Sequence, residues 1–141
     1  MSPPPLSPAL ERPPSSDMMK RDTQQRRAIR RTIEDNGRPL SPKEVLDSAR
    51  GHCPGLGIAT VYRTIKALAE EGSLAQVDLP GEPPRYEATG KQHHHHFHCR
   101  ECDKVYELSG CPDGLGVLTP NGFFLESHEV VLYGRCATCA V

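Results

Sequence analysis

The stretch His93-His94-His95-His96-Phe97-His98-Cys99-Arg100-Glu101-Cys102 places five imidazoles and two thiols within ten residues. How those groups are used decides the fold of the second half of the chain. Their complement is Cys136-Ala137-Thr138-Cys139 near the C-terminal end. A Cys-x-x-Cys turn lets two sulfurs converge on one ion, and two such turns supply the closed tetrahedral sphere of a structural zinc site. Cys102 and Cys136 are separated by 33 residues, so zinc held by Cys99, Cys102, Cys136 and Cys139 ties the end of the chain back to its middle.

Two plainer uses of these residues compete with zinc binding. Histidine runs occur as purification tags, but tags sit at termini, whereas this run is internal and leads directly into a cysteine pair. Cysteines also form disulfides. The N-terminus, Met1-Ser2-Pro3-Pro4-Pro5-Leu6, has neither the basic start nor the apolar core of a signal peptide, so a reducing, cytoplasmic location is expected and the thiols read as metal ligands.

Composition agrees with a small, metal-assisted fold. The 141 residues include no Trp and only 5% aromatics, leaving Leu, Val and Ile to build the core, and a small core is commonly supplemented by a metal. No apolar run approaches the ~20 residues of a membrane span, and a soluble chain without a membrane partner is expected. Net charge is −1, but its distribution is uneven. Residues 1–80 hold 12 Lys/Arg against 10 Asp/Glu, and residues 81–141 hold 5 against 8. Lys20, Arg21, Arg26, Arg27, Arg30 and Arg31 face only Asp22 over residues 20–31, a pattern shared by solvated helix faces and nucleic-acid surfaces.

Taken in order, residues 1–19 read as a disordered Pro-rich leader, with six prolines in residues 1–17. Asp22 is placed to cap a helix over Thr23–Asn36 that ends at Asn36-Gly37. Ser41, Pro42 and Glu44 spell a capping box for a second helix that ends at Gly51. A third helix is expected over Ile58–Glu71, with Val61, Ile65, Leu68 and Ala69 inward. Leu74–Leu79 and Arg85–Ala88, joined through Pro80-Gly81, read as a two-stranded wing. Three helices and a wing describe a winged helix-turn-helix, whose third helix enters the major groove. Thr60, Tyr62 and Arg63 lie on its polar side.

The segment Gly57-Ile58-Ala59-Thr60-Val61-Tyr62-Arg63-Thr64, the Thr23-Gln24-Gln25-Arg26 opening, the histidine cluster and both cysteine pairs occur here in one order. In these motifs the chain resembles the ferric uptake regulator family of metal-sensing bacterial transcription factors, over residues 20–141. The resemblance implies an α+β chain, with a winged helix-turn-helix DNA-binding domain over 20–88 and a small α/β dimerisation domain with the structural zinc site over 89–141. It implies that Tyr62 and Arg63 touch DNA, that Lys20 or Arg21 approaches the minor groove, and that the four cysteines hold zinc. It also implies a regulatory site of Glu87, His94, His96 and Glu107, and a second site of His93, His95 and His128. Alternation along a strand agrees, since residues two apart project to the same side.

Three departures from the family pattern bear on the metal. The loop Arg38-Pro39-Leu40-Ser41 lacks a histidine that iron-sensing relatives often supply, and Ala88 stands where zinc sensors often carry a cysteine. The segment Cys111-Pro112-Asp113-Gly114-Leu115-Gly116-Val117-Leu118 is poor in helix formers, and its Cys111 or Asp113 is available to replace the carboxylate of the second site. Imidazole with carboxylate suits Zn2+, Fe2+ and Mn2+ alike, whereas a thiolate favours Zn2+. The expected function is a metal-responsive repressor that binds operator DNA as a homodimer when its regulatory site is filled. The alternative within the same fold is a peroxide sensor that works by metal-catalysed oxidation of a ligand histidine. A zinc-dependent enzyme is disfavoured: His128-Glu129 has no second histidine at helical spacing, and no His-x-Glu precedes a Pro-Cys-x-x-Cys.

Overall fold

The computed structural model describes residues 16–141, with side chains from residue 22 onward. Most of the expected leader, and the side chains of Lys20 and Arg21, therefore lie outside the described residues.

Helix α1 spans Ser16–Asn36, several residues longer than the expected start at Thr23. Asp22 is thus an internal helical residue and not a cap, and the boundary drawn at residue 20 falls inside a helix. No Gly or Pro occurs between Ser16 and Asn36, so nothing in the sequence breaks the backbone there. Gly37, at φ +64°, ends the helix in the left-handed conformation that glycine adopts without strain.

Helix α2 spans Pro42–Ala49 and carries the expected capping box: Glu44 N–H donates to Ser41 Oγ, and Ser41 N–H donates to Glu44 Oε1, each at 3.2 Å. Helix α3 spans Ile58–Glu70. Ile29, Ile33, Val45, Ala49, Val61, Ile65 and Leu68 pack into one buried core between the three helices.

Strands β1 (Leu74–Val77) and β2 (Arg85–Ala88) form an antiparallel hairpin. The first strand stops at Val77 and not at Leu79, because the residues before Arg85 are Pro83 and Pro84, which have no N–H to extend the ladder. Leu40 adds a one-residue bridge to Tyr86, with N–H to carbonyl bonds of 2.9 Å in both directions.

The C-terminal unit is a three-stranded sheet in the order β4-β3-β5, built from β3 (His94–Cys99), β4 (Val105–Ser109) and β5 (Val131–Gly134). β3 pairs antiparallel with β4 and parallel with β5. Between β4 and β5 the chain makes only a single 3-10 turn, Leu115–Leu118. The expected α/β character is corrected accordingly: among the described residues this unit holds no α-helix, since Pro112, Gly114, Gly116, Pro120 and Gly122 interrupt the crossover.

Two arginines join the units at Glu44. Buried Arg85 on β2 reaches Glu44 Oε1 at 3.4 Å and Asp103 Oδ2 at 3.2 Å. Arg38 donates to Glu44 Oε2 at 2.7 Å while its guanidinium lies 5.9 Å from the centre of the Tyr106 ring. Val77, Leu79 and Val105 form a small second core, with Val131 packed against it. Urea unfolding of Ser41→Ala should show a loss of about 1 kcal/mol, the usual value of a cap, and Glu44→Ala should lose more because both arginines lose a partner. Equal losses would show that the arginines gain nothing from Glu44.

Candidate metal centres

The Cys99-x-x-Cys102 turn links β3 to β4, and Cys136-x-x-Cys139 follows β5 directly. Cys99 pairs with Gly134 at the end of the parallel ladder, so the second turn arrives beside the first. The four sulfurs lie within 4.8 Å of one another, with Cys102 and Cys136 at 3.8 Å. Sulfurs on a tetrahedron with Zn–S bonds of ≈ 2.3 Å stand about 3.8 Å apart. The N–H groups of Cys102 and Cys136 point at Cys99 Sγ, at 3.5 and 3.3 Å, and the first of these leads in holding the Cys99 thiol below its ordinary value. A hydrogen bond from the Tyr106 hydroxyl lowers Cys136 to about 6, whereas the neighbouring Cys136 sulfur pushes Cys139 up to about 12. Four thiols this close resist shedding all their protons together. The charge of a divalent cation removes that conflict, so the donor set fits zinc.

On one face of β3, His94 and His96 meet Glu87 of β2. His94 Nε2 is 2.7 Å from Glu87 Oε1, and His96 Nε2 is 3.5 Å from Glu87 Oε2. His94 Nδ1–H donates to the Gln92 carbonyl at 2.8 Å, which leaves Nε2 as the ligand atom. Burial raises the Glu87 carboxyl, but the hydrogen bonds from His96 and His94 outweigh it and leave the group below its ordinary value. Burial likewise lowers His94, but the Gln92 carbonyl and Glu87 outweigh it and hold the imidazole above its usual value.

Glu107 does not join this set. It pairs with His96 across the sheet, but its carboxylate is taken by Lys91 Nζ at 2.7 Å and remains 3.9 Å from His94 Nδ1. Lys91 also lies 3.8 Å from Glu87. The sequence reading passed over this lysine, although a cation four residues after Glu87 was a visible signal. The loop 38–41 supplies no ligand either, since Arg38 is engaged by Glu44.

On the opposite face of β3, His93, His95, Cys111 and His128 bring their ligand atoms within 4.8 Å of one another. Cys111 Sγ is 2.8 Å from His128 Nε2 and 3.4 Å from His95 Nε2, and the His93 and His128 Nε2 atoms are 3.2 Å apart. Of the two residues available to replace a carboxylate, Cys111 enters the cluster and Asp113 does not.

A family model described as the ferric uptake regulator family matches residues 18–133. The chain is a member of the ferric uptake regulator family. It is 35% identical over 106 residues to the ferric uptake regulation protein of Bordetella parapertussis, covering 72% of this chain and 76% of that one. Its structure is similar to the Helicobacter pylori ferric uptake regulator described as having three functional metal binding sites, with TM-score 0.65, 26% identity, and coverage of 89% of this chain and 88% of that one. It is also similar to a zinc-bound manganese uptake regulator, with TM-score 0.70, 28% identity, and coverage of 84% and 94%.

In this member of the ferric uptake regulator family a fourth cluster, Glu82, His98 and Asp103, also gathers potential ligands. It already contains a cation. Arg85 lies 3.2 Å from Asp103 and 4.0 Å from Glu82, and His98 Nε2 lies 2.6 Å from Asp103 Oδ1. The His98 hydrogen bond leads in holding the Asp103 carboxyl low. This is an ion-pair cluster that the sequence reading missed, because its members come from separate elements.

Near the start of α3, Tyr62 is 57% exposed and Arg63 donates to Thr60 Oγ1 at 3.2 Å. With Lys66, Gln76 and Tyr86, Tyr62 and Arg63 line a groove between α3 and the hairpin. The basic run on α1 is partly consumed within the protein, where Arg26 pairs with Glu71, and Arg30 with Glu34 at 2.8 Å. Among the described residues no helix is long and apolar enough to cross a membrane.

Two predictions follow from this chemistry. Cys136→Ser should release the tightly held zinc and unfold the C-terminal sheet, since such sites contribute on the order of 10–16 kcal/mol in small zinc domains. Metal analysis with thermal unfolding checks it, and unchanged zinc and melting would defeat the assignment. In the metal-free protein, the Glu87–His94 pair contributes its full stability between the ordinary carboxyl value of 4.5 and the ordinary imidazole value of 6.5, and loses it as pH falls through the lowered Glu87 value or rises through the raised His94 value. Because ligation needs His94 neutral, divalent-ion affinity at this face should climb as pH rises through and above 6.5; isothermal titration showing no such climb would remove His94 from the ligand set.

Proposed function

We propose that this chain is a metal-responsive transcriptional repressor that binds operator DNA as a homodimer when the Glu87 site is filled. The observation that carries this reading is that the site draws on both units. Glu87 belongs to the hairpin beside α3, whereas His94 and His96 belong to the C-terminal sheet. Residues 20–88, with the start of α1 moved back to Ser16, act as the winged helix-turn-helix domain, and residues 89–141 as the dimerisation domain.

Cys99, Cys102, Cys136 and Cys139 hold structural Zn2+. Glu87, His94 and His96 would hold the regulatory ion, Fe2+, Zn2+ or Mn2+, and His93, His95, Cys111 and His128 belong to a second site. A divalent ion supplies the charge that lets a buried carboxylate and two neutral imidazoles converge. By converging, these side chains hold the hairpin against the sheet and so fix the pose of α3. A coupling of ~1–3 kcal/mol between such a site and DNA changes affinity roughly 5–150-fold. Thr60, Tyr62 and Arg63 face the duplex, with Lys20 and Arg21 ahead of them on the chain. Exposed Val117, Leu118, Phe123 and Phe124, each at least 71% accessible, supply apolar surface for self-association. The manganese and ferric regulators among the similar proteins support the range of metals.

The test is DNA binding titrated anaerobically with Zn2+, Fe2+ and Mn2+, on duplexes selected from a random pool by the metal-loaded protein. Arg63→Ala should weaken binding by ~1–3 kcal/mol if the side chain reads a base. His96→Ala should keep its cysteine-bound zinc and its dimer but lose the metal response. A full metal response in His96→Ala, together with its loss in His128→Ala, would transfer sensing to the opposite face of β3.

A further inference from the structure

Alternate residues of a strand project to one side, and on β2 the two that face the C-terminal unit are Arg85 and Glu87, each only 4% exposed. Tyr86 between them packs against the helical core. Glu87 meets His94 and His96 on β3, whereas Arg85 reaches the turn that follows β3. There its nearest carboxylate is Asp103, at 3.2 Å; Glu44 lies at 3.4 Å and Glu82 at 4.0 Å. Glu44 is shared, since its Oε1 also accepts the Ser41 N–H and its Oε2 takes Arg38. Of the three carboxylates, Asp103 is both the closest to the buried guanidinium and the one that the C-terminal unit supplies.

Asp103 occupies an unusual backbone position. It follows Cys102 on the turn from β3 to β4, and among the described residues it is the one non-glycine residue at positive φ, +63°. Its N–H donates to the Cys99 carbonyl at 3.0 Å. Glycine would adopt this conformation without strain, so the backbone itself calls for no side chain there. What aspartate adds is a carboxylate, and both of its oxygens are used: Oδ1 lies 2.6 Å from His98 Nε2, and Oδ2 faces Arg85. By strand alternation His98 shares a face of β3 with His94 and His96. Arg85 and Glu87 therefore grip the two ends of one face, the first through a partner beside the cysteine turn and the second through imidazoles.

We infer that Arg85 and Asp103 form a latch between the two units, and that Arg85 is a positioning residue for the regulatory site: by tying β2 to the turn after Cys102, it holds Glu87 over His94 and His96 before an ion arrives. The inference rests on the reading of Glu87, His94 and His96 as that site, and deepens it. An ion binds the poses in which Glu87 is already within reach, so its apparent affinity is the intrinsic affinity scaled by the fraction of such poses. Loss of the latch lowers that fraction, and with it the affinity for every ion by one common factor. Loss of a ligand instead changes the preference among ions, because donor type selects the metal.

The experiment uses the full chain with zinc retained on the four cysteines and the opposite face of β3 disabled by Cys111→Ser with His128→Ala. Zn2+, Mn2+ and Co2+ are titrated by calorimetry into this parent protein and into versions carrying Asp103→Gly, Asp103→Asn or Arg85→Gln. Asp103→Gly should keep its cysteine-bound zinc, since glycine takes the turn conformation freely, yet bind all three ions more weakly by one common factor of roughly 3–30, within the span of coupling between residues in contact. Small-angle scattering of the metal-free Asp103→Gly protein should show a larger radius of gyration than the parent, returning to the parent value once Zn2+ saturates the site. Asp103→Asn should weaken binding in the parent but have no further effect when Arg85→Gln is already present. Parent affinities for every ion in both Asp103 variants, additive effects of Arg85→Gln and Asp103→Asn, or weakening confined to one ion would each overturn the latch while leaving the site in place. A titration unchanged by His96→Ala would instead remove the site, and the positioning role of Arg85 with it.

Discussion

The parallel pairing of β3 with β5 is the constraint on which the C-terminal unit depends. Parallel neighbours cannot be joined by a tight turn, and the usual solution is a crossover helix that packs on the sheet. Here the crossover holds only a short 3-10 turn, so alignment must come from the strand ends. The Arg100 N–H donates to the Gly134 carbonyl at 2.8 Å, and the Cys136 N–H to Cys99 Sγ at 3.3 Å. Gly134 packs closely there: a Cβ would stand 3.2 Å from Phe97 Cζ, so the ring would have to give by a few tenths of an ångström. The two cysteine turns thus lock a register that the crossover leaves loose, and the same register places His95 opposite Val130.

Because β3 is locked, its alternation becomes functional. Odd-numbered histidines face the crossover and even-numbered ones face the hairpin, so a single strand serves two ligand sets. The joint between the units has two parts of different character. Glu87 with His94 and His96 joins a carboxylate to two imidazoles, whose ring nitrogens can bind a cation in place of a proton. Arg85 with Glu44 and Asp103 is built on a guanidinium that stays charged throughout. The first part can respond to conditions; the second holds the units together whatever the first does. Glu44 matters in both senses, since it caps α2 and also receives Arg38 and Arg85.

Much of the architecture was legible in the sequence because it rests on local rules. Ser41, Pro42 and Glu44 specify the start of α2 through contacts three residues apart. The cysteine spacing specifies two ligand turns, and the alternation of His93 to His96 separates two faces without reference to any other element. Even the weakness of the crossover could be read from its glycines and prolines. The start of α1 was misplaced because a good cap at Asp22 does not oblige a helix to begin there when no breaker precedes it.

Tertiary structure alone decided which long-range partners meet. Glu107 was expected among the ligands through the family resemblance, but the Lys91 ammonium reaches its carboxylate first, and a pairing between a loop and a strand leaves no periodic trace. Arg85 gathers Glu44, Glu82 and Asp103 from three separate segments for the same reason. Cys111 and Asp113 were equivalent in the sequence, and the path of the crossover brings one sulfur to His128 while leaving the carboxylate outside. The ring contacts of His94 and His95 lie furthest from the sequence. Both residues are histidines on one strand, and whether Nδ1 meets the Gln92 carbonyl or the Val130 N–H depends on the path of the backbone around that strand.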